Sequence, residues 1–201
     1  MSELLVVTSL NVSDEVSELP TAIRSAFEAH AAECSVREVH ILTEADEQLV
    51  TRLILQVVPR NMFKVLQTDK RPTLAVLFEH ASNCIAANGG RAAIMNADVS
   101  FAGNADISRC LESLKSFSGG SEQPIYALTR HDFSAGTWAI SLFEGCGLPN
   151  MLSTDCWIIS NPVYLETADF YSLGEMNCDL MLNYSWIRGL QSLFRCLHPA
   201  S

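Results

Sequence analysis

Along the first hundred residues the apolar positions alternate between two spacings. Residues 4–8 form a short apolar run that reads as a buried strand, and a polar turn through residues 11–18 follows it. Pro20 is suited to opening a helix, because its fixed φ fits the first turn; Ile23, Phe27 and Ala31 then recur at helical spacing. Val36, Val39 and Ile41 predict a second strand, which runs into the acidic segment 43–47. Residues 49–58 are apolar with an ambiguous period that Pro59 ends, and residues 62–66 predict a third short strand. The basic turn 69–73 leads into a helix with Leu74, Leu77, Phe78, Ala81 and Ile85 on one face, stopped by Gly89 and Gly90. Ala92, Ala93, Ile94 and Met95 then read as a fourth buried strand ending at Asn96-Ala97-Asp98.

Strand and helix in this alternation predict a parallel sheet with crossover helices. The second half is less regular: residues 125–129 and 156–160 predict strands, and residues 176–189 a helix. No internal repeat, low-complexity tract or linker interrupts residues 1–201, so a single domain is expected. A chain of 201 residues is long enough to bury a sizeable core. With 48% hydrophobic and 18% charged residues, the composition is globular and not disordered.

Charge and cysteine content narrow the function classes. The net charge of −10 disfavours nucleic acid and anionic membranes as partners, since phosphate attraction dominates both affinities. No uncharged apolar run approaches a membrane-spanning length, and the start lacks a basic leader, so a cytoplasmic location is expected. The seven cysteines are scattered without a C-x-x-C pair, which argues against a disulfide framework or zinc site and for small buried residues. The sequons at residues 11–13 and 183–185 read as chance matches. There is no Gly-rich phosphate loop, no G-x-S-x-G and no H-E-x-x-H.

The informative chemistry lies at the end of the fourth strand. In an open α/β sheet, ligands bind beyond the carboxyl ends of the strands. A carboxylate held there by a stiff strand is suited to a metal ion and, through it, a phosphate. The competing reading of Asn96 and Asp98 is a plain strand-end turn, which both residue types favour.

Several patches, taken in order, resemble the GT-A fold of nucleotide-sugar-dependent glycosyltransferases. They begin with the strand at residues 4–8 and the second strand ending in Leu42-Thr43-Glu44. Ile94-Met95-Asn96-Ala97-Asp98 falls where that fold carries its Asp-x-Asp motif. Ala127-Leu128-Thr129-Arg130 and residues 153–159 resemble the acceptor-side strands, and residues 173–179 the Gly-containing acidic motif that opens a late helix. The resemblance implies an α/β, GT-A-like (Rossmann-like) fold with a mostly parallel central sheet flanked by helices. Residues 1–100 would form the nucleotide-binding half and residues 101–201 the acceptor side. Two positions depart from the pattern: Asn96 replaces the first acidic residue, and the late motif reads Asn-Cys-Asp.

The implied partners are a nucleotide diphosphate sugar and a hydroxyl-bearing acceptor. Transfer between them requires charge neutralisation on the leaving diphosphate and removal of the acceptor proton. The resemblance assigns the first task to Mn²⁺ or Mg²⁺ held by Asp98, with His198 as a late ligand and Asn96 offering an amide oxygen or a ribose contact. Asp179 is the candidate base, against the simpler reading of an acidic residue favoured by a helix dipole. Asp155 either positions the acceptor or pairs with Arg130, itself a candidate donor contact. Arg71, before Pro72 at a helix start, is a phosphate candidate, and Glu44 a base or ribose candidate. Trp157 offers a flat face for a sugar, or else sits in the core. The alternative class is a catalytically inactive domain that serves as a nucleotide-sugar-binding or protein-interaction module. A nucleotidyltransferase is disfavoured because residues 9–18 contain no Gly, Lys or Arg.

Overall fold

The structure, a computed structural model, describes residues 4–101, 125–129, 131–134, 137–140, 154–163 and 165. In chain order the elements are β1 (Leu4–Ser9), α1 (Thr21–Ala32), β2 (Val36–Thr43), α2 (Glu47–Ile54), a single 3₁₀ turn (Arg60–Met62), β3 (Phe63–Gln67), α3 (Leu74–Asn88) and β4 (Arg91–Met95). They continue with β5 (Ile125–Thr129), β6 (His131–Ser134), β7 (Thr137–Ile140) and β8 (Thr154–Ile159). The central sheet has six strands in the order β3-β2-β1-β4-β8-β5, and β6 pairs with β7 separately. β1 is parallel to β2 and β4, and β2 is parallel to β3. β8 is antiparallel to both β4 and β5, so β8 alone runs against the other strands of the sheet. The expected α/β class with a mostly parallel sheet between helices is what the chain forms.

Strand alternation sends successive residues to opposite faces, and both faces are covered. Leu4, Val6, Val39, Ile41, Ala93 and Met95 pack with Phe27 of α1 and with Leu49, Val50, Leu53 and Ile54 of α2. Leu5, Val7, Ala92 and Ile94 pack with Leu74, Leu77, Phe78 and Ala81 of α3 and with Trp157 of β8. Two buried faces explain why β1 and β4 read as unbroken apolar runs. Within the ambiguous stretch at 49–58, residues 49–54 belong to α2, whose start Asp46 caps by accepting from the Leu49 N–H at 2.8 Å, and residues 55–58 turn out of the helix. The β6–β7 hairpin was not anticipated, although Ala135-Gly136 between the two strands is a sequence-level turn signal. Among the described residues, no helix is long and apolar enough to cross a membrane.

α3 ends as its sequence predicts, with Gly89 at φ +68° and ψ −167° donating its N–H to the Ile85 carbonyl at 2.7 Å. That backbone region is essentially restricted to glycine. A Cβ at Gly89 would meet nothing within 4 Å, so the cost of a side chain is backbone strain alone. Gly89→Ala is therefore expected to destabilise the protein by about 1–3 kcal/mol, read as a lower urea midpoint with an unchanged slope.

Candidate functional site

The chain passes from β1 to β2 to β3 on one side of the sheet and then places β4 on the other side of β1. The connections therefore diverge beyond the carboxyl ends of β1 and β4, the place where an open α/β sheet forms a ligand crevice. The loops after β2 and β3 leave the same edge, and the antiparallel β8 begins there. Glu44, Arg71, Asn96, Asp98 and Asp155 all follow from this arrangement as residues of one sheet edge. Arg130, Asp179 and His198 lie outside the described residues.

At the end of β4 the pairing of Met95 with Cys156 continues one step further. The Asn96 N–H donates to the Asp155 carbonyl at 3.3 Å, and the Asn96 side-chain amide donates to Asp155 Oδ1 at 3.0 Å. The Val99 N–H then donates to the Asn96 carbonyl at 3.2 Å, closing a turn with Ala97 and Asp98 at its centre. Asn and Asp suit these turn positions. The turn reading of residues 96–98 is thus correct as geometry, and it presents the Asp98 side chain to solvent. The structure brings Asp155 together with Asn96; Arg130, the partner considered for it, lies outside the described residues.

The segment after this turn is fastened from below. His30 on α1 is 4% exposed and meets Phe27 and Phe101 edge-on, with ring centroids 6.4 and 6.1 Å apart. Burial pushes the His30 imidazole down to about 4, against the opposing effect of its hydrogen bond to the Val99 main chain. His30 is therefore neutral near pH 7 and ties residues 99–101 to α1.

The remaining edge residues have simpler surroundings. Glu44 is exposed, whereas its neighbour Thr43 is buried and accepts the Ala45 N–H on Oγ1 at 3.0 Å. The Thr43 carbonyl accepts the Thr68 N–H at 2.7 Å, which joins the loops after β2 and β3. Arg71 is exposed and precedes Thr73, the N-cap of α3. Trp157 is fully buried with its ring 6.3 Å from Phe78, so it is a core residue and not a platform for a sugar.

A second polar group was missed from the sequence. On the α3-covered face, His40 Nδ1 lies 2.8 Å from His80 Nε2, and Cys84 Sγ lies 3.8 and 3.6 Å from those two atoms. His40 Nε2 is 2.9 Å from Glu38 Oε2, and Lys64 Nζ is 3.1 Å from Glu38 Oε1. Burial lowers both imidazoles, His80 to about 4, while the Glu38 contact partly opposes the effect at His40. Burial also pushes the Cys84 thiol up. The one local signal was the four-residue spacing of His80 and Cys84, which puts both on one helix face. Of the described cysteines, Cys156 is buried as expected, Cys84 is half-buried and Cys34 is exposed.

No protein-family model and no curated protein sequence matches this chain. Solved structures similar to it include a candidate nucleotide-diphospho-sugar transferase from Desulfovibrio desulfuricans G20, at 14% identity over 94% of this chain and 78% of that one, with a TM-score of 0.46. HddC from Yersinia pseudotuberculosis is 13% identical over 80% of this chain and 77% of its own, with a TM-score of 0.47. Residues 1–349 of S. aureus TarS, solved with UDP-GlcNAc, are 12% identical over 75% of this chain and 38% of that solved chain, with a TM-score of 0.43. Likeness at this level assigns no residue of the present chain a role.

Proposed function

We propose that the strand-end crevice binds a nucleotide diphosphate sugar and that the protein transfers the sugar to a hydroxyl acceptor with Mg²⁺ or Mn²⁺. The observation that carries this reading is the turn at residues 96–99, placed at the topological switch point with an exposed Asp98 carboxylate and an Asn96 anchored to Asp155. A carboxylate with an amide oxygen nearby is a hard-oxygen donor set, which suits small divalent ions that complete their shell with water and phosphates. Asp98 would hold the ion, with the Asn96 Oδ1 and His198 as further donors. Bound there, the ion supplies positive charge against the leaving diphosphate.

In this reading residues 1–100 hold the nucleotide and residues 101–201 form the acceptor side. Arg71 and the N–H groups opening α3 bind a phosphate, Glu44 contacts the ribose or base, and Arg130 adds a donor contact. Asp179 takes the proton from the acceptor hydroxyl, and Asp155 orients that acceptor while keeping Asn96 in place.

Asp98→Ala is expected to leave the fold intact, because Asp98 is an exposed turn residue. Metal-dependent nucleotide affinity should fall by about tenfold to a hundredfold, the worth of one contact to a charged group. Equal calorimetric affinity for wild type and Asp98→Ala would sink the assignment. One observation favours the alternative of an inactive nucleotide-sugar-binding or interaction module: Asn96 replaces a carboxylate and its amide is engaged with Asp155. Release of nucleoside diphosphate from a bound donor separates the two readings, since a binding module releases none.

A further inference from the structure

His40, His80 and Cys84 form a second polar group, on the sheet face beneath α3. His40 lies three residues before the end of β2, on the sheet face beneath α3. His80 and Cys84 come from the middle and later part of α3, one turn apart. Their nearest ligand-capable atoms, His40 Nδ1, His80 Nε2 and Cys84 Sγ, lie within 4.8 Å of one another.

We propose that these three side chains form a binding site for Zn²⁺, with water as the fourth ligand. The donor set is two imidazoles and a thiolate, the borderline-soft combination that zinc prefers and that Mg²⁺ and Mn²⁺ do not. The distances fit. Zinc bonds of about 2.0–2.1 Å to nitrogen and about 2.3 Å to sulfur, at tetrahedral angles, require S···N separations of about 3.6 Å and an N···N separation of about 3.3 Å. The observed S···N distances are 3.6 and 3.8 Å. The N···N distance is 2.8 Å, the length of a His–His hydrogen bond, so the two rings need to open by about half an ångström.

The surroundings supply what a metal-ligating histidine needs. An ionised carboxylate only accepts hydrogen bonds, so Glu38 Oε2 takes the N–H of His40 Nε2 at 2.9 Å. That leaves Nδ1 of His40 with its lone pair toward His80 and Cys84. Carboxylate, histidine and metal in sequence is the arrangement that orients an imidazole ligand and raises its basicity. Lys64, at 3.1 Å from the other Glu38 oxygen, holds the carboxylate in turn. His40 is buried, while His80 and Cys84 are half-buried, so the cluster is not sealed off within the core.

On binding, the proton on His80 Nε2 moves to Nδ1, Cys84 loses its thiol proton to solvent, and about one proton is released per ion. The ion would then clamp α3 to β2.

Co²⁺ is the probe that reports both geometry and thiolate ligation. Chelator-treated, reduced protein without nucleotide should bind Co²⁺ with a thiolate-to-cobalt charge-transfer band and the intense visible absorption of a four-coordinate ion. Zn²⁺ should bleach both. Cys84→Ser should abolish the charge-transfer band, and His80→Ala the four-coordinate visible spectrum, with far-UV dichroism retained in each. Asp98→Ala should leave the cobalt spectrum unchanged, which separates this site from the strand-end ion. A weak spectrum typical of aquated Co²⁺, or a charge-transfer band that survives Cys84→Ser, would overturn the proposal.

Discussion

Acidification from pH 7 to pH 4 is expected to cost the protein about 3 kcal/mol of stability through His30 alone. The folded imidazole titrates at about 4 because it is buried, whereas in the unfolded chain it titrates near its ordinary value of 6.5. Between those values the unfolded chain binds the proton and the folded one does not. The contribution is therefore complete above about pH 6.5 and is lost as pH falls toward 4. His30→Leu removes the titrating group while keeping an apolar contact for Phe27 and Phe101. Urea denaturation at both pH values should show wild type losing about 3 kcal/mol more than His30→Leu, because carboxylate titration is common to both proteins. Equal losses would mean that His30 titrates alike in the folded and the unfolded chain. If the strand-end crevice binds a nucleotide as proposed, the same acidification should weaken that binding, since His30 fastens the segment that follows the Asn96–Asp98 turn.

The second large effect lies in the sheet. Trp157→Ala is expected to destabilise the fold by about 3–5 kcal/mol, the cost of deleting a large, fully buried ring. Trp157 is 0% exposed and packs against Phe78 of α3, in the same core as Leu77, Ile94 and Ile159. Total stabilities are about 5–15 kcal/mol, so this loss is a large fraction of the total. Trp157→Phe, which keeps much of the volume, should lose far less. Because Asp155 stands two residues earlier on the same strand, Trp157→Ala should also loosen the Asn96–Asp155 contact. The urea midpoint measures the first consequence and amide exchange at Asn96 the second. A Trp157→Ala midpoint within experimental error of wild type would contradict the assignment of this ring to the core.

These residues show which parts of the molecule could be read from the chain. β1 to β4 and the apolar face of α3 were legible because each rests on a local run or period, and Pro20, Pro59 and Gly89 mark their limits. The 49–58 stretch was not, since an apolar run of that length fits a strand or a helix until the Asp46 cap is recognised. The reversed direction of β8 depends on pairing with β4 and β5, and no local pattern encodes that. At the candidate site, Asn96 and Asp98 stood out because a polar pair ended an apolar strand. The Asn96–Asp155 hydrogen bond spans 59 residues of sequence and could not be seen. His40 and His80 are likewise 40 residues apart, brought together only by packing α3 over β2. The scattered cysteines hid Cys84 for the same reason. His30 was overlooked because the helical stripe through Ile23, Phe27 and Ala31 already accounted for α1.

The edge carrying Asn96 and Asp98 is proposed above as a metal-assisted nucleotide site. Calorimetric titration of UDP, GDP and CMP into the protein, each with and without Mn²⁺, tests it most directly. Saturable binding of at least one of these nucleotides, dependent on Mn²⁺, is the expected result. No binding of any of them, or binding indifferent to the metal, would contradict it.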